Sequence, residues 1–361
     1  MPTALDELFM AEAMTGSVRR FAEQSEERSF WKYYEGGERL SPVTDVVKWD
    51  EVRFSRDLAP VTGPNSPSKA TKPLGIIKRT GELFAVKEHV DLDGRLLKMA
   101  RGEGSTLPDP AGYLNANLLN LTNRAMRTLN LIACKSFLTT NGQVDLGAIA
   151  NADIASGSFI LTYPVNSANA AVSWAAASTK IRSTEINPLK LAYRKGTGFA
   201  PGIAIASDDV EGYLVGNTEA TELLKNGSFA GRTLESSFME GGNSVRYGGM
   251  EWRFARDQYY ADATPDTAVD IPAATDLVAI LPPENRHREC FALAEGIQLI
   301  PTGAIASLAT GNPFSLIAET RGWFAYLELI TNPIGVRLHV GYCGLPIQKV
   351  QKSVLVFNAI P

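Results

Sequence analysis

Trp49-Asp50-Glu51-Val52-Arg53-Phe54-Ser55-Arg56-Asp57-Leu58 and, after a proline-rich interval, Leu74-Gly75-Ile76-Ile77-Lys78-Arg79-Thr80-Gly81-Glu82-Leu83-Phe84-Ala85-Val86 form the most informative stretch of the chain. In the first limb Val52 and Phe54 alternate with Arg53 and Ser55, the period of a strand. Pro60, Pro64, Pro67 and Pro73, with Lys69 and Lys72 among them, mark the connection. The pattern predicts an extended β-hairpin over residues 47–90 with a basic, proline-rich tip. Such a ribbon has no core of its own, and an isolated hairpin in water is marginal. Ordering about 40 residues costs on the order of 60 kcal/mol, which needs on the order of 2,400 Å² of apolar burial. A lone ribbon cannot supply that area. It must lie on something else, and a neighbouring copy of the same chain is the natural support.

The remainder of the chain is ordinary in composition. It has 361 residues, 45% of them hydrophobic and 20% charged, with a net charge of −4. The isoelectric point is about 5.6 and the mean hydropathy −0.06. This length allows one to three domains with a substantial core. An acidic balance argues against a protein whose main task is to neutralise nucleic-acid phosphates, though not against one that encloses nucleic acid. Cys134, Cys290 and Cys343 are an odd set without a C-x-x-C pair, so the expectation is a reducing compartment and no zinc site. No run approaches the length of a membrane span. Asp6 and Glu7 stand where a secretory signal would be basic, so folding in the cytoplasm is expected.

Outward from the ribbon, residues 1–46 read as an arm with little independent core: a helical pattern from Leu5 to Phe21, then a polar run broken by Gly36-Gly37. On the other side, Asp109-Pro110 is a strong helix start. Leu114, Leu118, Leu121, Ala125, Leu129, Ile132 and Ser136 follow at intervals of three and four, and Asn141-Gly142 is a stop. This predicts a helix of about 28 residues, roughly 42 Å long. Strands are expected at 159–163, 202–206, 250–257, 277–281, 323–330, 336–340 and 353–357, and helices at 188–194 and 208–225. Strands and helices do not alternate regularly, so the fold class is α+β.

A search for chemistry finds little. His89 and His287 lie among charged neighbours and read as solvated surface, while His339 sits in a strand pattern. None has metal-ligand spacing, and neither a nucleophile elbow nor a phosphate loop is present. Gly196-Thr197-Gly198-Phe199-Ala200-Pro201-Gly202 precedes a strand, whereas a dinucleotide loop follows one, so it reads as a connecting loop. Asp208-Asp209 reads as the acidic start of a helix. The ribbon's bias towards Arg53, Arg56, Lys69, Lys72, Lys78, Arg79 and Lys87 fits a limb docking on an acidic neighbour. Edge protection and nucleic-acid contact are the competing readings.

The run Asp50 to Pro60, followed by Pro64-Asn65-Ser66-Pro67 and by Lys87-Glu88-His89-Val90-Asp91-Leu92-Asp93-Gly94-Arg95-Leu96-Leu97-Lys98, resembles the tailed-phage major capsid protein family typified by phage lambda protein E. The long helix after Asp109-Pro110, the Gly322-Trp323-Phe324 strand and Pro346 to Phe357 also resemble that family's elements. The resemblance implies the Hong Kong 97-type capsid fold: an N-terminal arm (1–46), an E-loop (47–90), and a peripheral domain (91–195) with its spine helix at about 109–137. An axial domain (196–319) and closing strands (320–361) complete it. It implies copies joined as pentamers and hexamers in an icosahedral shell around double-stranded DNA, bound without sequence specificity. A separate scaffolding protein, a portal and a cement or decoration protein are the further partners implied. The expected location is the virion capsid, assembled in the host cytoplasm, with no membrane, cofactor, metal or catalytic role.

In that reading Arg53, Phe54, Arg56, Lys69, Lys72, Lys78, Arg79 and Phe84 are the candidate inter-subunit contacts. The rival readings are an encapsulin-type compartment shell, a soluble enzyme or binding protein with a flexible hairpin, and a tail-tube protein.

Overall fold

The computed structural model describes residues 11–26, 29–53, 75–93, 110–149, 152–219, 222, 244–255, 257–260, 268–271, 276–301, 317–331 and 334–360. The N-terminal part contains α1 (Ala11–Gln24), α2 (Lys32–Glu35), β1 (Glu38–Leu40), β2 (Val46–Arg53), β3 (Gly75–Glu82) and β4 (Phe84–Asp93). Helix α3 (Pro110–Phe137) follows, then β5 (Gln143–Asp145), β6 (Ile160–Thr162) and β7 (Asn166–Asn169). A π-helical turn, Ile181–Ile186, leads into α4 (Asn187–Thr197), β8 (Ile203–Ser207) and α5 (Asp208–Val215). Five strands come next: β9 (Ser244–Tyr247), β10 (Met250–Ala255), β11 (Asp257–Tyr260), β12 (Ala268–Ile271) and β13 (Leu277–Leu281). The chain closes with α6 (His287–Cys290), β14 (Phe291–Glu295), β15 (Ile297–Pro301), β16 (Ile317–Arg321), β17 (Trp323–Thr331), β18 (Ile334–Gln348) and β19 (Leu355–Asn358).

Two sheets organise these elements. In the first, β18 is the common member: it pairs antiparallel with β4 over Gly335–Gly344, with β17 over Ile334–Tyr342 and with β14 over Gly344–Gln348. Strand β1 adds in parallel to β14. The second sheet has the order β7-β19-β13-β8-β10-β9. Its central strands are buried throughout, and alternation sorts their side chains between two cores. Ile203, Ile205, Ala279, Leu281 and Val356 face the larger core, which also takes α3 and the first sheet. Ala204, Ala206, Val278, Ile280 and Phe357 face the smaller one, with Trp174, Trp252 and Tyr193. One sheet thus joins the two hydrophobic bodies.

Helix α3 has 28 residues, starts at Pro110 and buries the periodic face Leu114, Leu118, Leu121, Ala125, Leu129 and Ile132. Proline suits its first turn because the missing N–H would have no intrahelical partner there. Helix α1 packs against β17 and α3, and Thr15 fixes its height: Oγ1 donates to Ala325 O (3.3 Å) and accepts from Ala325 N (3.1 Å).

Residues 1–46, expected to be an arm with little independent core, draw on the core of the body. Within the described part, Phe30, Trp31, Tyr33 and Tyr34 are buried at the centre of the larger core. Tyr34 stacks on Phe137, with centroids 5.1 Å apart, and its hydroxyl lies 2.6 Å from Ser136 Oγ. Asn130 Oδ1 accepts from Phe30 N (2.7 Å) and Trp31 N (3.2 Å), so α3 satisfies the entry of this segment. Arg253 binds it to the second sheet: its guanidinium donates to Tyr33 Oη (2.8 Å), Glu251 Oε1 (2.8 Å) and Glu284 Oε1 (2.6 Å). Burial pushes the Tyr33 hydroxyl up to about 12 despite the opposing Arg253 charge. One expectation is corrected here, that of a solvated His287. It is buried, not solvated, with Nε2 3.1 Å from Pro282 O and its ring edge-on to Tyr33 and Phe291. Turning inwards on α6 separates it from Arg286, whose guanidinium pairs with Glu289.

Candidate assembly surface

Strands β2 and β3 pair antiparallel from Val46↔Glu82 to Arg53↔Gly75, forming the described part of the ribbon. Cross-strand partners share a face. Val47, Trp49 and Glu51 therefore lie with Gly81, Arg79 and Ile77, while Val46, Lys48, Asp50 and Val52 lie with Glu82, Thr80, Lys78 and Ile76. The first face turns inwards at its base, where Val47 and Glu51 are buried. The second is exposed: Ile76 keeps 58% of its surface in solvent and Val46 43%. Ile77, nearer the end of the described limb, keeps 41%. Among the described residues β3 is bonded only on its β2 side, so its other edge is open.

The base of the ribbon is held in place. Leu83 N donates to Asp45 O (2.8 Å) and closes the hairpin. Val52 N donates to Lys349 O (2.8 Å) and Gln351 N to Val52 O (3.1 Å), which joins β2 to the turn after β18. Gly81 is required by close approach: a Cβ there would lie 2.9 Å from Leu345 Cδ2 and 3.1 Å from the Trp49 ring. Glu51 is 1% exposed, and its Oε2 accepts from Arg79 Nε at 2.7 Å. The return limb is shorter than the expected hairpin to residue 90. It ends at Glu82, and residues 84–93 belong to the first sheet as β4. Phe84 faces the core there because β4 is paired with β18 and no longer with β2.

The predicted contact residues therefore fall into different surroundings. Arg53 ends β2, and Phe54, Arg56, Lys69 and Lys72 lie outside the described residues. Lys78 is on the exposed face, Arg79 is engaged by Glu51, and Phe84 is 5% exposed in the chain's own core. Ile76 and Ile77, absent from the predicted set, are the apolar groups that the limb leaves in solvent. Alternation with Lys78 and Arg79 would have found them.

A second feature is an acidic concavity of about 750 Å³ between α1, β1 and strands β15–β17, lined by Glu12, Glu23, Glu35, Glu295 and Glu319 beside Arg19, Arg39 and Arg321. Arg39 lies 3.6 Å from Glu295, and Arg19 donates to Thr320 Oγ1 (3.1 Å) and Arg321 O (2.9 Å). Tyr342 forms part of its floor, and burial, with Glu295 and Glu35 nearby, holds its hydroxyl well above the ordinary tyrosine range.

No group of three or more His, Cys, Asp or Glu side chains among the described residues is placed to hold a metal ion. The glycine run at 196–202 links α4 to β8, and Gly198 takes the left-handed conformation (φ 90°) that ends the helix. No helix among the described residues is long and apolar enough to cross a membrane.

No family model and no curated protein matches the chain. Solved structures do. The putative capsid protein of a prophage of E. coli CFT073 is similar at a TM-score of 0.56 and 13% identity, covering 98% of this chain and 99% of that one. A phage-related protein of Bordetella bronchiseptica RB50 is similar at a TM-score of 0.51 and 10% identity, with 98% of each chain covered. At these identities the likeness is one of fold. The chain shares the α+β fold of these two structures over nearly its full length.

Proposed function

We propose that this chain is the major capsid protein of a tailed double-stranded DNA bacteriophage, its copies joining as pentamers and hexamers into an icosahedral shell around the genome. The observation that carries the reading is the ribbon. Its face and open edge place Ile76, Ile77 and Lys78 outside the chain's own core, in a molecule that shares a capsid fold over nearly its full length. Apolar strand residues on an unpaired edge are an aggregation hazard in a monomer and a docking element in an assembly.

In the finer version of the proposal, the ribbon is the E-loop of the Hong Kong 97-type fold and α3 its spine helix. The six-stranded sheet with its second core leads into the axial domain. Lys78, with Arg53, Arg56, Lys69 and Lys72 of the basic limb, meets an acidic surface of the neighbouring copy, for which the glutamate-lined concavity supplies the charge. Scaffolding, portal and cement proteins complete the set of partners, and the location is the virion, after assembly in the host cytoplasm. The role needs no catalytic centre. It needs many modest contacts, each weak enough to be corrected and together strong enough to hold a closed lattice.

Electron microscopy of the expressed full-length protein tests this directly. Closed shells of uniform size are expected. A monodisperse 39.0 kDa species at every concentration, or helical tubes, would refute it. Shells that carry a cargo protein instead of double-stranded DNA after purification from infected cells would assign the compartment role.

A further inference from the structure

Arg79 is among the contacts expected between copies, yet it is engaged within its own subunit. Its Nε donates to Glu51 Oε2 at 2.7 Å across the inner face of the ribbon. The pair is lopsided: Arg79 keeps 45% of its side chain in solvent and Glu51 only 1%. A carboxylate buried to that degree is strongly disfavoured unless a counter-charge is held beside it. Among the described residues Arg79 is the ion-pair partner of Glu51.

The pair joins two limbs that the body holds unequally. Limb β2 is tied to the turn after β18 through Val52, whose N donates to Lys349 O (2.8 Å) and whose O accepts from Gln351 N (3.1 Å). Limb β3 has no ladder partner but β2 among the described residues, and it meets the body by close approach of Gly81 to Leu345 and the Trp49 ring. Arg79 stands opposite Trp49, and Glu51 occupies the next pair on that face. The ion pair therefore runs diagonally from the free limb to the anchored one. Both side chains line one groove with Leu345, Pro346, Ile347 and Gln348 of β18, so Glu51 stays down against the body only while Arg79 meets its charge.

We propose that Glu51 and Arg79 are positioning residues: the pair clamps the root of the ribbon to the body of its own subunit. It thereby fixes, before any neighbour arrives, the direction in which Ile76, Ile77 and Lys78 are presented. A segment already held in its docking pose loses less freedom on association, and only the held fraction of subunits is competent to join. The clamp is a property of one chain, whereas its value for assembly rests on the shell reading above.

The test measures hydrogen exchange on dissociated full-length subunits together with the subunit concentration for half-assembly. The variants are Arg79→Met and the double change Glu51→Met with Arg79→Met. Arg79→Met strands the buried carboxylate, so amides in 46–53 and 75–82 should exchange about tenfold faster while those of α3 hold their rates. The half-assembly concentration should rise about tenfold with them. Replacing both charges by apolar side chains of similar length removes the stranded charge and leaves the root packed, so exchange and assembly should both return to within about threefold of the wild type. An Arg79 that touched a neighbouring copy would behave otherwise. Arg79→Met would then weaken assembly with no change of exchange in the free subunit, and the double variant would stay weak; that pattern overturns the proposal. Faster exchange with wild-type assembly overturns it as well, as does no change in either. If the wild-type chain forms no particles the shell reading falls, and the exchange comparison still decides the clamp.

Discussion

Replacing both Ile76 and Ile77 by Thr should separate assembly from folding. Ile76 leaves 58% and Ile77 41% of its surface in solvent, so roughly half of each side chain remains to be buried by a neighbour. Full burial of an isoleucine is worth about 2 kcal/mol, which gives about 1 kcal/mol for each residue and about 2 kcal/mol for the pair at every interface. That corresponds to about a 30-fold weaker contact. Threonine keeps the β-branch that suits a strand, so the cost to the folded subunit should stay within about 1 kcal/mol. In a closed lattice the same loss recurs at each copy, and the effect on assembly compounds. The assay is light scattering against subunit concentration, with urea unfolding of dissociated subunits as control. A double variant that assembles within threefold of the wild-type concentration would refute the argument that these two side chains are buried between copies.

Three further outcomes follow from the packing. Trp31→Ala should cost the subunit about 3–5 kcal/mol in urea unfolding, because Trp31 is fully buried in the larger core; a loss under about 1 kcal/mol would show that the N-terminal segment does not contribute to it. Arg253→Met removes three donated hydrogen bonds, of which the one to Tyr33 joins the N-terminal segment to the six-stranded sheet, and should cost about 2–3 kcal/mol, discounted for the exposure of Glu284; Arg253→Lys should recover only part of it. His287 is held below the ordinary histidine pKa, chiefly by burial. The unfolded chain therefore binds the proton more readily, and stability should decline as pH falls from about 6.5 through the lower folded value. Unfolding of His287→Phe at pH 7.5 and 5.5 should show a shallower dependence than wild type, and equal slopes would sink the assignment.

The legible parts of the fold were those with a strong local signal. Helix α3 carries a proline start and an unbroken three-four repeat, and its burial follows that repeat residue by residue. The limbs of the ribbon were visible in their alternation. The length of the return limb was not, because the change of partner from β2 to β4's place beside β18 happens across Leu83 without any break in strand-like sequence. Strand β18 was expected to stop near residue 340. Gly341, Gly344 and Pro346 read as breakers, yet the strand continues to Gln348 by exchanging β4 and β17 for β14 at Gly344. Tertiary pairing overrides propensity there. How deeply the N-terminal segment enters the larger core was hidden by its average polarity. Phe30, Trp31, Tyr33 and Tyr34 crowd five positions, and that density of aromatic side chains was a sign of burial. Of the candidate assembly surface, Lys78 on the exposed face was legible in the basic pattern, whereas Ile76 and Ile77 beside it were passed over.

The junction at Leu83 has a mechanical consequence. A single residue separates the ribbon from β4, and β4 is bonded to β18 along ten consecutive residue pairs. A neighbour that tugs on the ribbon therefore loads that whole ladder lengthwise, with the strain shared by many bonds in parallel. The ribbon is built into the subunit as a stiff tension member with no swivel at its root. Any change of shape that a shell of such subunits undergoes must bend the ribbon along its length or carry the first sheet with it.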